Sequence, residues 1–161
     1  MTLRPVPFRV KLVAAALVVI VVLGVGFVLQ PKTPGSITKA AAGVNFPLYY
    51  PAHLPEGYAL EQSSVSGTPD VVIFSAFNRA TGNRLVVSEQ ARPTGFDFEN
   101  FYHEQTSAYK HFAAPVGDGV TGTAGDSYLG SIVTDHTWII IKGSSTAGEQ
   151  VKDFALKLKA L

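Results

Sequence analysis

The apolar segment that begins at Leu12 and ends at Leu29 constrains this chain more than any other part of its sequence. It contains no charged residue, and no residue in it is more polar than glycine. In an α-helix, each residue adds about 1.5 Å, so a segment of this length would extend about 27 Å, close to the hydrocarbon thickness of a bilayer. The sequence therefore predicts one transmembrane helix over residues 12–29.

The charges on either side of this segment predict its orientation. Arg4, Arg9 and Lys11 precede it, whereas Lys32 and Lys39 follow it. The positive-inside rule then favours a cytoplasmic N-terminus and an extracytoplasmic C-terminal part. A cleaved signal peptide is the alternative, but its apolar core is usually about 7–15 residues long and is followed closely by a small-x-small site. We therefore expect an uncleaved anchor in the cell membrane, in contact with the lipid bilayer.

Four regions follow from this interpretation. Residues 1–11 are expected to form a short cytoplasmic tail, residues 12–29 the transmembrane helix and residues 44–161 an extracytoplasmic domain. Residues 30–43 are expected to form a flexible linker, because Pro31 and Pro34 disfavour a continuous helix.

Composition excludes several classes of function for the predicted domain. From residue 44 onward, eight Lys and Arg face twelve Asp and Glu, so this part is mildly acidic and lacks the basic surface of a nucleic-acid binder. The chain has no cysteine, which excludes disulfides, thiol nucleophiles and thiolate metal sites. We expect no nucleic-acid partner and no cofactor.

The periodicity of residues 44–161 predicts an α+β domain of about six mostly antiparallel strands with two helices on one face. Residues 45–57, which include three prolines, predict an extended strap that leads into the domain. Asp97 predicts the N-cap of one helix, with Phe96 and Phe101 as its hydrophobic staple. Thr146 and Glu149 predict a capping box for the last helix. Strands are predicted at residues 58–65, 71–77, 84–90, 120–123, 128–133 and 137–142.

The residues Pro51, Leu54, Pro55, Glu56-Gly57-Tyr58 form a P-x-x-L-P-E-G-Y motif. With it, the chain resembles an uncharacterised bacterial extracytoplasmic domain found at the outer ends of single-span proteins, some of them related to anti-sigma factors. The later order of a VVIF strand, a strand ending near Gln90, a strand containing Trp138 and a closing helix is also similar. The resemblance implies a location and a fold. It implies no catalytic residue, and the tail at residues 1–11 is too short for a sigma-binding domain.

Three groups of residues resemble patterns for catalysis, phosphate binding or metal binding. Residues 143–147 (Gly-Ser-Ser-Thr-Ala) lie between an apolar strand and a helix, the context of a nucleophile elbow, with Ala147 in place of the second glycine, but no histidine follows them. Residues 117–126 are rich in glycine but lack the Lys and Ser/Thr of a phosphate loop, and predict a loop or an irregular strand. Four histidines have no metal-ligand spacing along the chain: His53, His103, His111 and His136. The sequence therefore predicts no catalytic or metal site.

The aromatic residues offer one candidate binding patch. Most aromatics follow the core periodicity, but Tyr49, Tyr50 and Trp138 would form a binding patch if they were exposed together. The leading prediction is a non-catalytic binding or sensing domain that contacts an envelope protein or a small ligand. An envelope hydrolase or metal-dependent enzyme, with a site assembled by the fold, is one alternative. A structural envelope subunit that assembles through an exposed strand edge is the other.

Overall fold

An eight-stranded antiparallel sheet is the centre of the fold in the computed structural model, which describes residues 33–161. The predicted tail at residues 1–11 and the predicted transmembrane helix at residues 12–29 lie outside the described residues. Between residues 33 and 161, we find no helix with both the length and the apolar character needed to cross a membrane.

The strands in residues 33–161 are more numerous than the sequence predicts, and most predicted strands are longer, whereas the one predicted at residues 58–65 is limited to Tyr58–Leu60. The helices are α1 (Gly35–Ala41), α2 (Phe98–Gln105) and α3 (Gly148–Leu156). The strands are β1 (Tyr49–Pro51), β2 (Tyr58–Leu60), β3 (Ser66–Thr68), β4 (Val71–Asn78), β5 (Arg84–Ala91), β6 (Ser107–Ala114), β7 (Gly117–Ala124), β8 (Ser127–Val133), β9 (Thr137–Ser144) and β10 (Leu158–Ala160).

The main sheet has the order β2-β4-β5-β9-β8-β7-β6, and β3 also pairs with β4. All its pairs are antiparallel. The predicted hairpins β4–β5 and β8–β9 are both present. A mostly antiparallel sheet with three helices in residues 33–161 agrees with the predicted α+β class, although the predicted number of strands was too small.

One face of the sheet, which we call the inner face, carries the main core. It receives alternate residues of the central strands, including Phe74 of β4, Val87 of β5 and Ile141 of β9, all essentially buried. Helix α3 covers this face with Val151, Phe154 and Ala155, which follow the predicted apolar stripe of a helix. Burial of these side chains is the main apolar contribution to the stability of the domain.

The opposite face, which we call the outer face, carries helix α2 and a smaller core. On β9, Trp138 and Ile140 point to this face, whereas Ile139 and Ile141 point to the inner face. The prediction of two helices on one face is therefore wrong, since α2 and α3 pack on opposite faces. The physical reason is that β9 is apolar on both sides, so each side needs its own cover.

The strap at residues 45–57 closes one end of the inner face. Its strand β1 pairs with β10 in a separate two-stranded sheet, with Tyr50 opposite Lys159. The Ala52 N–H donates to the Lys157 carbonyl at 2.8 Å, and the Leu161 N–H donates to the Leu48 carbonyl at 3.0 Å. The strap therefore joins two parts of the chain that are far apart in sequence.

Helix α1 lies within the region that the sequence predicts as a flexible linker, residues 30–43. Ile37 is 1% exposed and belongs to the inner-face core, with Ala40 and Ala41 packed beside it. Pro34 stands at the N-cap, where its missing N–H costs no helical hydrogen bond. These apolar contacts, together with the Ser36 hydroxyl, which donates to Gln62 Oε1 at 2.6 Å, hold the short helix on the domain.

Strands β6 and β7 differ most from the prediction, which placed only a short strand at residues 120–123. Several glycines of β7 occupy crowded positions rather than a loop: a Cβ on Gly119 would lie 2.4 Å from Phe112, and one on Gly122 would lie 2.7 Å from Thr106. The glycines therefore let β6 and the end of α2 approach β7 closely.

The two predicted helix caps have different outcomes. The Asp97 side chain accepts a hydrogen bond from the Asn100 N–H at 3.0 Å, which confirms the N-cap of α2. The predicted capping box of α3 is wrong, because the N-cap residue is Ala147, whose methyl side chain cannot accept a hydrogen bond from the helix. The Thr146 hydroxyl instead lies 3.1 Å from the Ser144 hydroxyl.

Candidate functional site

The predicted patch of Tyr49, Tyr50 and Trp138 is not a shared exposed surface. Tyr50 is 6% exposed and packs on Phe74 in the inner-face core, with ring centroids 5.7 Å apart. Trp138 is 7% exposed and belongs to the outer-face core, while Tyr49 is partly buried beside the inner-face core. The side chains of Tyr50 and Trp138 lie on opposite sides of the sheet, so they cannot contact one ligand together.

Trp138 instead is the centre of a buried polar network under α2. Its indole N–H lies 2.7 Å from the Tyr102 hydroxyl and 2.8 Å from the Ser131 hydroxyl. The Tyr102 and Ser131 hydroxyls also contact each other, and Ser131 donates to the Ile139 carbonyl at 3.1 Å. Burial raises the pKa of Tyr102, so the phenol stays neutral. The network ties α2 to strands β8 and β9.

Aromatic rings fix the position of α2 over this network. Phe96 packs on Phe101 with ring centroids 5.4 Å apart, which confirms the hydrophobic staple. Phe96, Phe98 and Phe101 each lie 5.2–5.6 Å from the Trp138 ring. Such aromatic contacts contribute about 0.5–1.5 kcal/mol per pair beyond the area that they bury. A short helix is thereby held firmly on the outer face.

A second cluster joins the exposed side of α2 to β6. Tyr109 stacks on His103 at 4.6 Å between ring centroids and meets His111 edge-on at 4.9 Å. Its hydroxyl donates to Glu99 at 2.5 Å, and His111 Nε2 lies 3.7 Å from the same carboxylate. Partial burial, and then the hydrogen bond to Glu99, raise the pKa of Tyr109.

Between these two clusters lies a cleft of about 170 Å³, which we call the α2 cleft. Its walls combine apolar and aromatic side chains with two carboxylates, one histidine and the two buried hydroxyls of the network. The lining residues are Phe98, Glu99, Tyr102, His111, Asp118, Val120, Ser131 and Val133. With no Lys or Arg in this lining, the cleft is electronegative when His111 is neutral.

Two larger surface hollows lie elsewhere on the domain. One, of about 340 Å³, runs beside α1 and β3 and includes Lys39. The other, of about 540 Å³, is formed by the loops around Arg92 and His136. The α2 cleft differs from both because its wall reaches the buried hydroxyls of Tyr102 and Ser131, so a ligand there would contact groups that the fold holds rigidly.

The other residues singled out in the sequence are dispersed. His103 and His111 lie on either side of Tyr109, but within residues 33–161 no group of three His, Asp or Glu side chains is placed to hold a metal ion. Within residues 143–147, Ser145 is exposed and its N–H donates to the Asp126 carbonyl at 3.1 Å, while the Ser144 hydroxyl at the end of β9 lies 3.4 Å from the Asn83 side-chain oxygen. Sequence reasoning missed Ser131, Asp118 and Glu99 as cleft residues, since their proximity depends on β6 and β7.

Comparisons with family models, with curated proteins and with solved structures give no match for this chain. The resemblance based on the P-x-x-L-P-E-G-Y motif therefore stays a prediction. In the structure, this motif spans the end of the strap: Pro51 and Pro55 are buried, and Tyr58 begins β2. Gly57 has a φ of 77°, which explains a glycine at that position of the motif.

Proposed function

We propose that this protein is a single-pass membrane-anchored extracytoplasmic domain that binds a small ligand in the α2 cleft without chemical conversion. The observation that carries the binding role is the cleft itself, an aromatic-walled hollow whose only full charges are the carboxylates of Glu99 and Asp118. The anchor and its orientation rest on the sequence alone, through the apolar segment at residues 12–29 and the basic residues before it.

The lining of the cleft favours a small organic cation. Carboxylates attract a positive charge, and Phe98 and Tyr102 add aromatic rings to the lining, although the Arg92 guanidinium already lies 5.7 Å from the Phe98 ring centroid. The volume of about 170 Å³ limits the ligand to a few heavy atoms, such as an alkylammonium group or the tip of a longer amine. The role would then be recognition or sensing of amines at the cell envelope.

Binding can be tested on the full chain in detergent micelles, with tetramethylammonium as the probe. Trp138 is the only tryptophan and lies under the cleft, so its fluorescence reports occupancy. We expect saturable binding that Asp118→Asn weakens about tenfold, which corresponds to about 1.4 kcal/mol. Asp126→Asn, an exposed carboxylate beside the β7–β8 turn and outside the lining, is the matched control and should bind as the parent does.

A neutral probe of the same shape, tert-butyl alcohol, separates the parts of the proposal. Equal affinity for both probes would reject a cationic ligand while keeping the cleft as a site. No response to either probe at millimolar concentration would reject the cleft. For the anchor, protease added to cells with a permeable outer layer should digest residues 44–161, and protection of that part would reject the orientation.

The envelope-subunit alternative receives less support from the sheet edges. Strand β6 is an edge strand, but its register shifts between Ser107 and Lys110, and Ala108 has a φ of 52°. A bulge and a lysine on an edge strand are devices that oppose pairing with another chain. Assembly through this edge would require the strand to straighten first.

A further inference from the structure

Glu89 is a carboxylic acid in the middle of the inner-face core that the proposed ligand site does not use. It lies on β5 between Val72 of β4 and Ile139 of β9, and its exposed fraction is 0%. A carboxylate in such surroundings has lost its hydration, which is costly unless its oxygens find other partners.

The two oxygens of Glu89 have different partners. Oε2 accepts a hydrogen bond from the Tyr49 N–H of the strap at 2.8 Å. Oε1 is buried and has no hydrogen-bond partner among residues 33–161. Burial raises the pKa of Glu89 to about 8, and the Tyr49 hydrogen bond offsets only part of that rise. The carboxyl is therefore protonated at neutral pH as long as the strap covers it.

Within residues 33–161, no charged side chain offsets the burial of Glu89. The neighbouring strands present Val72 from β4, and Ile139 and Thr137 from β9, on the same face. The titratable groups of β1 and its partner strand are Tyr49, Tyr50 and Lys159, and His53 and Glu56 further along the strap are exposed. None of these groups contributes to the pKa shift of Glu89, whose causes are burial and the Tyr49 N–H.

Two side chains from the sheet hold the inner end of the strap. Besides the Glu89 bond to Tyr49, the Thr137 hydroxyl donates to the Pro47 carbonyl at 2.6 Å, and Thr137 is also fully buried. Among the residues that the structure describes, the main-chain hydrogen bonds between the strap and the last part of the chain are the β1–β10 pairs and the hydrogen bonds that flank them. The strap is also held by the Asn45 N–H, which donates to the Pro69 carbonyl at 3.3 Å, and by the burial of Phe46, Leu48 and Tyr50. A group that can change charge thus lies directly beneath a short segment.

We propose that the proton on Glu89 keeps the strap closed and that opening of the strap from the inner face is coupled to release of this proton. In the closed state, the neutral carboxyl is buried and accepts the Tyr49 N–H. When the strap lifts, the carboxyl reaches water and gives its proton to solvent, while the Tyr49 N–H exchanges Glu89 for a water molecule. One proton is released for each opening.

The pH range follows from the two values of the pKa. An uncovered Glu89 returns toward its ordinary pKa of 4.5, whereas the covered one has a pKa of about 8. Between these values the closed state binds a proton that the open state does not, so the closed state is favoured most at low pH and loses its advantage as pH rises. The opening equilibrium constant should rise by up to about tenfold per pH unit, reaching a total increase of about 400-fold between pH 5 and pH 8, and should then level off.

Hydrogen exchange of the full chain in detergent micelles, followed by mass spectrometry from pH 5 to pH 9, tests this proposal. After correction for intrinsic exchange, protection of residues 45–51 should fall with pH up to about pH 8, while protection of β8 and β9 should change less. Glu89→Gln keeps an acceptor for the Tyr49 N–H but cannot ionise, so its strap protection should not vary with pH. Glu56→Gln, an exposed strap residue, should retain the parent's pH dependence.

Pure parent protein gives a second readout in case the Glu89→Gln chain does not fold. Carbon NMR of glutamate carboxyls should contain one resonance that titrates near pH 8, well above the other glutamates. Strap protection that does not vary with pH in the parent would overturn the proposal. A pH dependence of strap protection that persists in Glu89→Gln would also overturn it. So would carbon NMR spectra in which no glutamate carboxyl titrates near pH 8.

Discussion

The two faces of the main sheet are covered in different ways. The inner face is closed by α1, α3 and the strap, and most of its side chains are fully buried. The outer face has one eight-residue helix, α2, over part of its area, and leaves Ile73 and Val86 about 40% and 36% exposed. The inner face therefore supplies most of the apolar stabilisation, whereas the outer face offers the cleft.

The two faces also differ in how their cores are held together. The inner-face core is mostly apolar, with Glu89 as the buried carboxylic acid among the residues that the structure describes. The outer-face core is small and includes the hydrogen bonds of Trp138, Tyr102 and Ser131. Apolar contacts are non-directional, whereas hydrogen bonds depend on geometry. The inner face therefore mainly stabilises the domain, and the outer face mainly fixes the positions of its side chains.

Truncating one phenylalanine on each face should give the largest contrast. Phe154 of α3 is 0% exposed, so Phe154→Ala should lower the free energy of unfolding by about 3–5 kcal/mol through lost burial and a residual cavity. Phe98→Ala removes the same atoms from a half-buried site on the outer face and should cost less than half as much. Urea unfolding monitored by circular dichroism measures both. Equal losses would show that the two faces contribute alike.

Adjacent valines on β5 allow the same substitution to be made on each face. Val87 is fully buried on the inner face, and Val87→Thr should cost about 1–3 kcal/mol because it buries a hydroxyl among apolar groups. Val86→Thr, on the exposed part of the outer face, should change stability by less than about 0.5 kcal/mol. If the Val86 variant were the less stable of the two in the same urea titration, the expected difference between the inner and outer faces would be contradicted.

The polar network of the outer face should give a smaller effect than the inner-face substitutions at Phe154 and Val87. Tyr102→Phe removes one hydroxyl and leaves the indole N–H of Trp138 bonded to Ser131 at 2.8 Å, so the expected loss is about 1 kcal/mol. Because Trp138 is the only tryptophan, its emission maximum should shift as well. Tyr109→Phe, which removes an exposed hydroxyl bonded to Glu99, is the control and should leave the emission unchanged.

Local sequence signals predicted the elements whose interactions are also local. The β4–β5 and β8–β9 hairpins follow from apolar runs joined by turn residues, and α2 follows from Asp97 and its aromatic staple. Strand β6 was missed because most of its residues are exposed on both sides, so it has no alternating pattern. The length of strand β7 was underestimated because its glycines are required by close contacts with residues that are near only in the folded structure.

The placement of helices on both faces had a signal that the sequence interpretation did not use. Residues 138–141 of β9 are apolar at every position, which indicates a strand covered on both sides. The α2 cleft had no comparable signal. Glu99, Asp118 and Ser131 come from three elements, and their separation in sequence says nothing of their common location. The buried state of Glu89 was equally hidden, since a strand pattern does not reveal which polar residue lies beneath a strap.

The pairing of β1 with β10 sets an order on how this domain can be completed during synthesis. Strand β1 ends at Pro51 and β10 begins at Leu158, so the ribosome must make the whole main sheet before the strap finds its partner. Until then, Phe46, Leu48 and Tyr50 of the nascent chain have no finished core to enter. Closure of the strap over the inner face is therefore completed only after β10 has been synthesised.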